Sequence, residues 1–340
     1  MTAGAELFPR LVADIGGTNA RFALVHEPDS APTDIEAMRC SDYPSAVDAA
    51  RVYLDKVGAR DGRTLKPALA AFAVATAVHG DTVTMTNSPW TISASATARA
   101  LGARELFLFN DFEVLALALP RLSPRDLLPL QPGGGALPNR HLPMTVIGPG
   151  TGLGVATCVY AGGNHWIPLP GEGGHATLSA ADDFESDLLR EIRAEVGHVS
   201  AERVLSGIGL PSLHRAICLV SGAGAPTQPL TPEQIATAAL DGSDAQCRAT
   251  LETFAAMFGS FAGNVALTVG ARGGVFVAGG IAQKLGPFLQ QSGFRARFED
   301  KGRFRSYLAP IATQLITLPH AALAGAAEGI NHRLQGAAHG

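Results

Sequence analysis

The sequence has little that would take it to a membrane, a nucleic acid or a metal cluster. Its most apolar run, Ala68 to Val78, falls well short of the roughly 20 residues that span a bilayer. The formal net charge of −4 provides no basic field to attract a polyanion or an anionic lipid surface, so no nucleic-acid or membrane partner is expected. Cysteine is scarce and scattered. Cys40, Cys158, Cys218 and Cys247 show no CxxC or CxH spacing that could grip zinc or form a redox pair, and they read as reduced core thiols. The opening MTAGAELFPRLVADIGG carries no basic region ahead of an apolar one and reaches Asp14 after a few apolar residues. No secretory signal is expected from it, and the protein reads as cytoplasmic.

What is present is an ordinary folded composition, 46% hydrophobic and 16% charged, in 340 residues. That length exceeds what one core usually supports, so two domains are expected. Leu11 to Val25 reads as a strand, a DIGGTN turn and a second strand. A further apolar run lies between Pro67 and Val83, and Thr91 to Leu101 looks helical. The run ELFLFN, ending at Asn110, predicts a short buried strand, and Phe112 to Leu119 a packed helix, with Asp111 at their junction. Leu130 to Pro143 is a Pro/Gly-rich surface loop near a domain boundary. After it, MTVI, GPGTGLG and VATCVY repeat the earlier plan of strand, glycine turn and strand, which suggests two related halves. Asp183 to Glu195 and Thr250 to Thr268 read as helices, Gly274 to Ala278 as a buried strand ending in Gly279 and Gly280, with a helix from Ala282.

A bound phosphate needs several backbone N–H groups converging on it, and glycine permits that close approach. Gly16, Gly17 and Thr18 fit this role, as do Gly148, Gly150, Thr151 and Gly152. Neither turn has the lysine of a Walker loop, and Leu153 stands where a dinucleotide fingerprint needs its third glycine. Either turn alone is equally readable as a hairpin closure. Asp14, beside the first turn, could hold Mg2+ through water, or simply stabilise the bend as an Asx turn.

Taken in order, ADIGGTNARFAL, MTNSPW, FNDF, GPGTGLGVA, LPGEGGH, GHVSAERVLSG and FVAGGI resemble the bacterial glucokinase family nearly end to end. The resemblance implies the α/β two-domain actin-like ATPase (ribonuclease H-like) fold, with a duplicated core and a cleft between domains. It also implies ATP with Mg2+, D-glucose as the small-molecule substrate, and a homodimer. By motif, Asp14, Ile15, Gly16, Gly17, Thr18 and Asn19 correspond to the first phosphate turn and Gly148 to Gly154 to the second. Gly279 and Gly280 resemble the adenosine-side turn. Asp111 takes the place of the catalytic base, and Asn110, Glu172, His175 and Glu202 match the remaining sugar-binding positions. Two departures stand out. Ala77 occupies a place where the family usually has proline, and His320 to Leu323 replace a Pro-Gly-Leu segment. The CxCGxxGCxE zinc motif of related sugar kinases is missing, which excludes that branch.

These residue types suit phosphoryl transfer, which needs a metal, backbone donors and one group to orient the nucleophile. On local evidence Asp111 reads first as a helix N-cap, while His175 reads equally as a structural histidine and Glu202 as a solvated glutamate; the surrounding motifs turn all three towards the sugar. The expectation is transfer from ATP to the 6-hydroxyl of D-glucose. Its rivals are a kinase for mannose, fructose or an N-acetylated amino sugar, and a catalytically idle sugar sensor. By analogy residues 1–121 with 317–340 form a small α/β domain and 122–316 a large α+β domain.

Overall fold

Each glycine turn closes a hairpin, and each hairpin belongs to a different sheet. The computed structural model describes residues 5–60, 62–85, 88–131 and 136–337; Thr86 and Asn87 of MTNSPW and residues 132–135 of the Pro/Gly-rich loop lie outside them. Strand β1 (Arg10–Ile15) pairs antiparallel with β2 (Asn19–Val25), with Asp14 opposite Arg21 and Ile15 opposite Ala20. Strand β3 (Thr33–Arg39) lies on the outer side of β2. After helix α1 (Ala46–Arg60), β4 (Leu69–Val74) runs parallel to β1. A small antiparallel pair, β5 (Thr82–Thr84) and β6 (Thr91–Ser93), precedes helix α2 (Ala94–Leu101). Strand β7 (Glu105–Asn110) then runs parallel to β4 and leads directly into helix α3 (Asp111–Ala118). The resulting order is β3-β2-β1-β4-β7.

The residues explain the two-sided burial of this sheet. Leu11, Ala13, Ile15, Phe22 and Phe72 face a core shared with Tyr53 of α1, whereas Val12, Ala23, Ala71 and Phe109 face a second core with Val114, Leu323 and Ile330. Successive side chains point to opposite faces, so a strand covered on both sides has to be apolar at nearly every position. The helix Ala321–Ala337 packs closely on α3: a Cβ at Gly325 would collide with the carbonyl oxygen of Val114. The stretch from Thr91 is not helical throughout. Its first three residues pair with β5, and the Ser93 hydroxyl, accepting from the Ala96 N–H, starts the helix at Ala94.

The second sheet collects β8 (Leu127–Pro129), β9 (Met144–Pro149), β10 (Leu153–Gly162), β11 (His165–Gly171), β12 (Gly274–Val277) and β13 (Thr313–Ile316) in the order β11-β10-β9-β12-β13-β8. Here β9 and β10 are antiparallel, and β12 and then β13 are added in parallel beyond β9. The plan of the first sheet therefore recurs. The helices Asp183–Val196, Leu210–Val220, Pro232–Leu240 and Ala245–Val269 share a single large core with this sheet. The first of these ends close to the expected Glu195; the last is longer than Thr250 to Thr268, because Asp244 caps it from further upstream and Gly270, at φ +65°, ends it.

Two compact units result: residues 1–121 with 161–168 and 319–340, and residues 122–160 with 169–318. All four cysteines are buried and free of disulfides. Among the described residues no helix is long and apolar enough to cross a membrane.

Candidate active site

In the first unit, β1 delivers Asp14 to the edge of the turn at residues 16–18. The Gly16 N–H donates to the Asn19 carbonyl at 2.9 Å, and the Cys40 N–H donates to the Thr18 carbonyl at 2.9 Å, which fixes the loop from both ends. Ile15 is fully buried, and its carbonyl accepts the Ala75 N–H at 3.3 Å. Asp14 faces Arg21 across the hairpin, Oδ2 to Nη1 3.5 Å. Burial raises the proton affinity of this carboxyl, and the positive charges of Arg21 and His320 act against the rise. Arg21 was not singled out in the sequence, and His320 stood out only as a departure from the family pattern, not as a partner of Asp14. Counting across the turn from Ile15 and Ala20 finds Arg21, but His320, at φ +59°, is brought there only by the fold.

The strand-to-helix junction shows which of two neighbours caps the helix. The cap of α3 is Asn110, not Asp111: the Asn110 side-chain oxygen accepts from the Phe112 and Glu113 N–H groups at 2.9 and 3.3 Å, and Glu113 returns the bond to the Asn110 N–H at 3.3 Å. The Asn110 amide also donates to the Thr76 carbonyl at 3.3 Å. Asp111 is the first residue of the helix, its Oδ1 sharing the Phe112 N–H at 3.0 Å. Its carboxyl is pushed up to about 6, first by burial and then by the negative charge of Asp14.

The second unit holds the other glycine turn, residues 150–152, between β9 and β10. Gly148 pairs with Gly154 inside the hairpin, and the Gly150 N–H donates to the Gly152 carbonyl at 2.8 Å. A Cβ on Gly150 would meet nothing, so one face of the turn is open. Gly279, at φ +90°, lies against the base of the turn, where a Cβ would come 2.5 Å from the Pro149 carbonyl oxygen; Gly280 begins the short helix Gly280–Lys284.

Glu172, His175 and Glu202 come together beside this turn. The His175 ring lies 3.8 Å from a Glu172 oxygen through Nε2 and 3.9 Å from a Glu202 oxygen through Nδ1. Glu172 and His175 are open to solvent, with side chains 71% and 62% exposed, while Glu202 is at 22%. A cluster of carboxylates and an imidazole offers acceptors and a donor for a polyhydroxylated ligand. The clasp formed by Gly207 and Ile208, which donate to the Gly150 and Thr151 carbonyls at 2.8 and 3.5 Å, was not legible from spacing.

The residues fit ATP with Mg2+. Asp14 offers a hard oxygen, desolvated and incompletely balanced by a cation 3.5 Å away, of the kind Mg2+ takes alongside water and phosphate oxygens. The open face at Gly150 leaves room for phosphate oxygens against the backbone.

The family described as Glucokinase matches residues 11–332. The chain is 50% identical over 323 residues to a glucokinase of Chromobacterium violaceum, covering 95% of this chain and 89% of the relative. It is 44% identical over 317 residues to a glucokinase of Paramagnetospirillum magneticum, covering 93% and 96%. Among solved structures, a glucokinase from an Antarctic psychrotroph superposes with a TM-score of 0.85 at 36% identity, covering 95% of this chain and 98% of that one. A ROK family glucokinase from Streptomyces griseus in complex with glucose and AMPPNP, at 19% identity and a TM-score of 0.63 over 94% and 98% of the two chains, shares the fold.

Proposed function

Because the chain belongs to the glucokinase family, we propose that it transfers the γ-phosphoryl group of ATP to the 6-hydroxyl of D-glucose with Asp111 as the base. The fold is the two-domain actin-like ATPase fold of the solved relatives, and the repeated sheet order is its duplicated core. The enzyme is a glucokinase, as its curated relatives are. The observation that carries the assignment of the base is the raised carboxyl of Asp111, held at the start of α3 by a cap that a different residue supplies.

In this reading the Asp111 carboxylate accepts the hydroxyl proton as the oxygen attacks, and its proton affinity near neutrality suits that exchange. Asn110 keeps one amide hydrogen for a sugar hydroxyl, since its oxygen is committed to the helix. Glu172, His175 and Glu202 pair with the ring hydroxyls, so an epimer would leave a polar group unpaired. The backbone of residues 16–18 and 150–152 receives phosphates, and Gly279 and Gly280 the adenosine side. Mg2+ would neutralise charge on the transferring phosphates, with Asp14 holding it through water. Family membership likewise supports a homodimer in the cytoplasm.

The test is ADP formation by the purified protein with MgATP in the presence of glucose, mannose, fructose or N-acetylglucosamine. Turnover that depends on glucose and exceeds that with the others supports the assignment. Preference for another sugar would move the substrate and leave the chemistry, and no sugar-dependent turnover would overturn the kinase reading.

A further inference from the structure

Glu202 does more than one carboxylate of a sugar site requires. Its Oε2 accepts the backbone N–H of Leu153 at 2.9 Å, and Leu153 immediately follows the turn at residues 150–152, within the Gly148 to Gly154 segment expected to receive phosphate. Its Oε1 faces the other way, 3.9 Å from the His175 ring. Each oxygen therefore serves a different segment, one the turn and the other the trio of Glu172, His175 and Glu202.

The surroundings are built to allow this reach. A Cβ on Gly152 would collide with the Glu202 Oε2, so the turn must carry glycine there for the carboxylate to dock. A Cβ on Gly174 would collide with the Leu153 carbonyl oxygen, so the GEGGH segment is pressed against the same residue. The Glu202 N–H donates to the Gly174 carbonyl at 2.8 Å, the Ser206 hydroxyl donates to the Glu202 carbonyl at 2.6 Å, and the Gly207 N–H donates to the Gly150 carbonyl at 2.8 Å. One short stretch of chain, residues 202–207, is thus bonded to the turn at both its ends and to the GEGGH segment beside it.

We propose that Glu202 is a positioning residue for the nucleotide as well as a sugar ligand, its Oε2 bond to Leu153 holding the turn at residues 150–152 in its phosphate-receiving shape. The inference rests on the kinase reading above. Sugar bound at Oε1 fixes the carboxylate, the fixed carboxylate fixes the turn, and by linkage nucleotide binding favours sugar to the same extent.

The experiment measures the affinity of the unhydrolysed analogue AMPPNP with Mg2+ by calorimetry, in the absence of any sugar and again with saturating glucose. A carboxylate that only binds sugar leaves the sugar-free affinity untouched when it is removed. The proposal expects Glu202→Ala to weaken sugar-free AMPPNP binding about 3- to 10-fold, the range for a lost hydrogen bond. It expects Glu202→Gln, which retains an oxygen for the Leu153 N–H, to keep sugar-free AMPPNP affinity near that of the unaltered protein while losing glucose affinity. Unaltered sugar-free AMPPNP affinity in Glu202→Ala would overturn the proposal. If that variant does not fold, Glu202→Asp, whose carboxylate falls one methylene short, decides by the same readout. An unaltered protein that phosphorylates glucose while the variants bind nucleotide normally sinks this inference alone; one that neither binds AMPPNP nor turns over sugar sinks the kinase reading and this inference with it.

Discussion

The negative charge of Asp14 raises the proton affinity of Asp111, although Asp14 lies in β1 and Asp111 starts the helix that follows β7, with β4 between the two strands. Ile15 pairs with Val74, and Val74 with Asn110, so the parallel register brings the end of β1 and the start of α3 to the same edge of the sheet. Two carboxylates at that edge resist being charged together, and burial of each adds to the effect.

The first prediction concerns pH. A base must be deprotonated to act, and the Asp111 carboxyl titrates at about 6, so kcat/KM for glucose is expected to fall as pH drops through about 6 and to level off above it. A steady-state profile between pH 5 and 8 checks this; a plateau extending down to the ordinary carboxylate range would contradict it.

Substituting the base separates activity from stability. Asp111→Asn is expected to lose about 10²- to 10⁴-fold in kcat with glucose affinity retained. The stability effect has a definite sign. The native carboxyl is raised from 3.8 to about 6, so between those values the native state holds a proton that the unfolded state has released. Native stability is therefore present at low pH and lost as pH rises through about 6. Urea titrations should find Asp111→Asn more stable than the unaltered protein at pH 8 and nearly equal to it at pH 4.

A third prediction distinguishes the cap from the sugar contact at the neighbouring position. Asn110→Ala removes the side-chain oxygen that accepts from Phe112 and Glu113, and should destabilise the protein by about 1 kcal/mol. Asn110→Asp keeps that oxygen and should restore stability, while the loss of the amide donor still raises KM for glucose. Equal stability of the alanine and aspartate variants would show that the cap contributes nothing.

Backbone geometry supplies a fourth. Gly279 has φ +90°, and a Cβ there would stand 2.5 Å from the Pro149 carbonyl oxygen at the base of the second turn. Gly279→Ala combines left-handed strain with a backbone clash, and should cost about 2 kcal/mol or more in chemical unfolding. The same shift should raise KM for ATP. Gly280→Ala, where a Cβ meets nothing, is the matched control and should be close to neutral in stability.

Much of this protein can be read along the chain because its informative features are local. The two glycine turns, the strand ELFLFN and the helix after it follow from alternation and punctuation over a dozen residues, and the structure places them as β1–β2, β9–β10, β7 and α3. The equivalence of the two halves was only faint in matching glycines and a threonine; strand order makes it plain, since pairing of β1 with β4 and of β9 with β12 joins segments far apart in sequence.

By itself the sequence determined which residues could carry the chemistry, because carboxylates, an imidazole and glycines at hairpin bends are properties of residue type and short spacing. Only the tertiary structure decided how they divide the work. Asn110 takes the cap and leaves Asp111 at the first helical position, since the direction in which β7 enters α3 determines which side chain meets the free N–H groups. Glu202 reaches back 49 residues to the N–H of Leu153, and His320 arrives beside Asp14 from the far end of the chain. Such meetings depend on sheet register and long-range packing, which bring distant residues together without leaving a period or motif in the sequence.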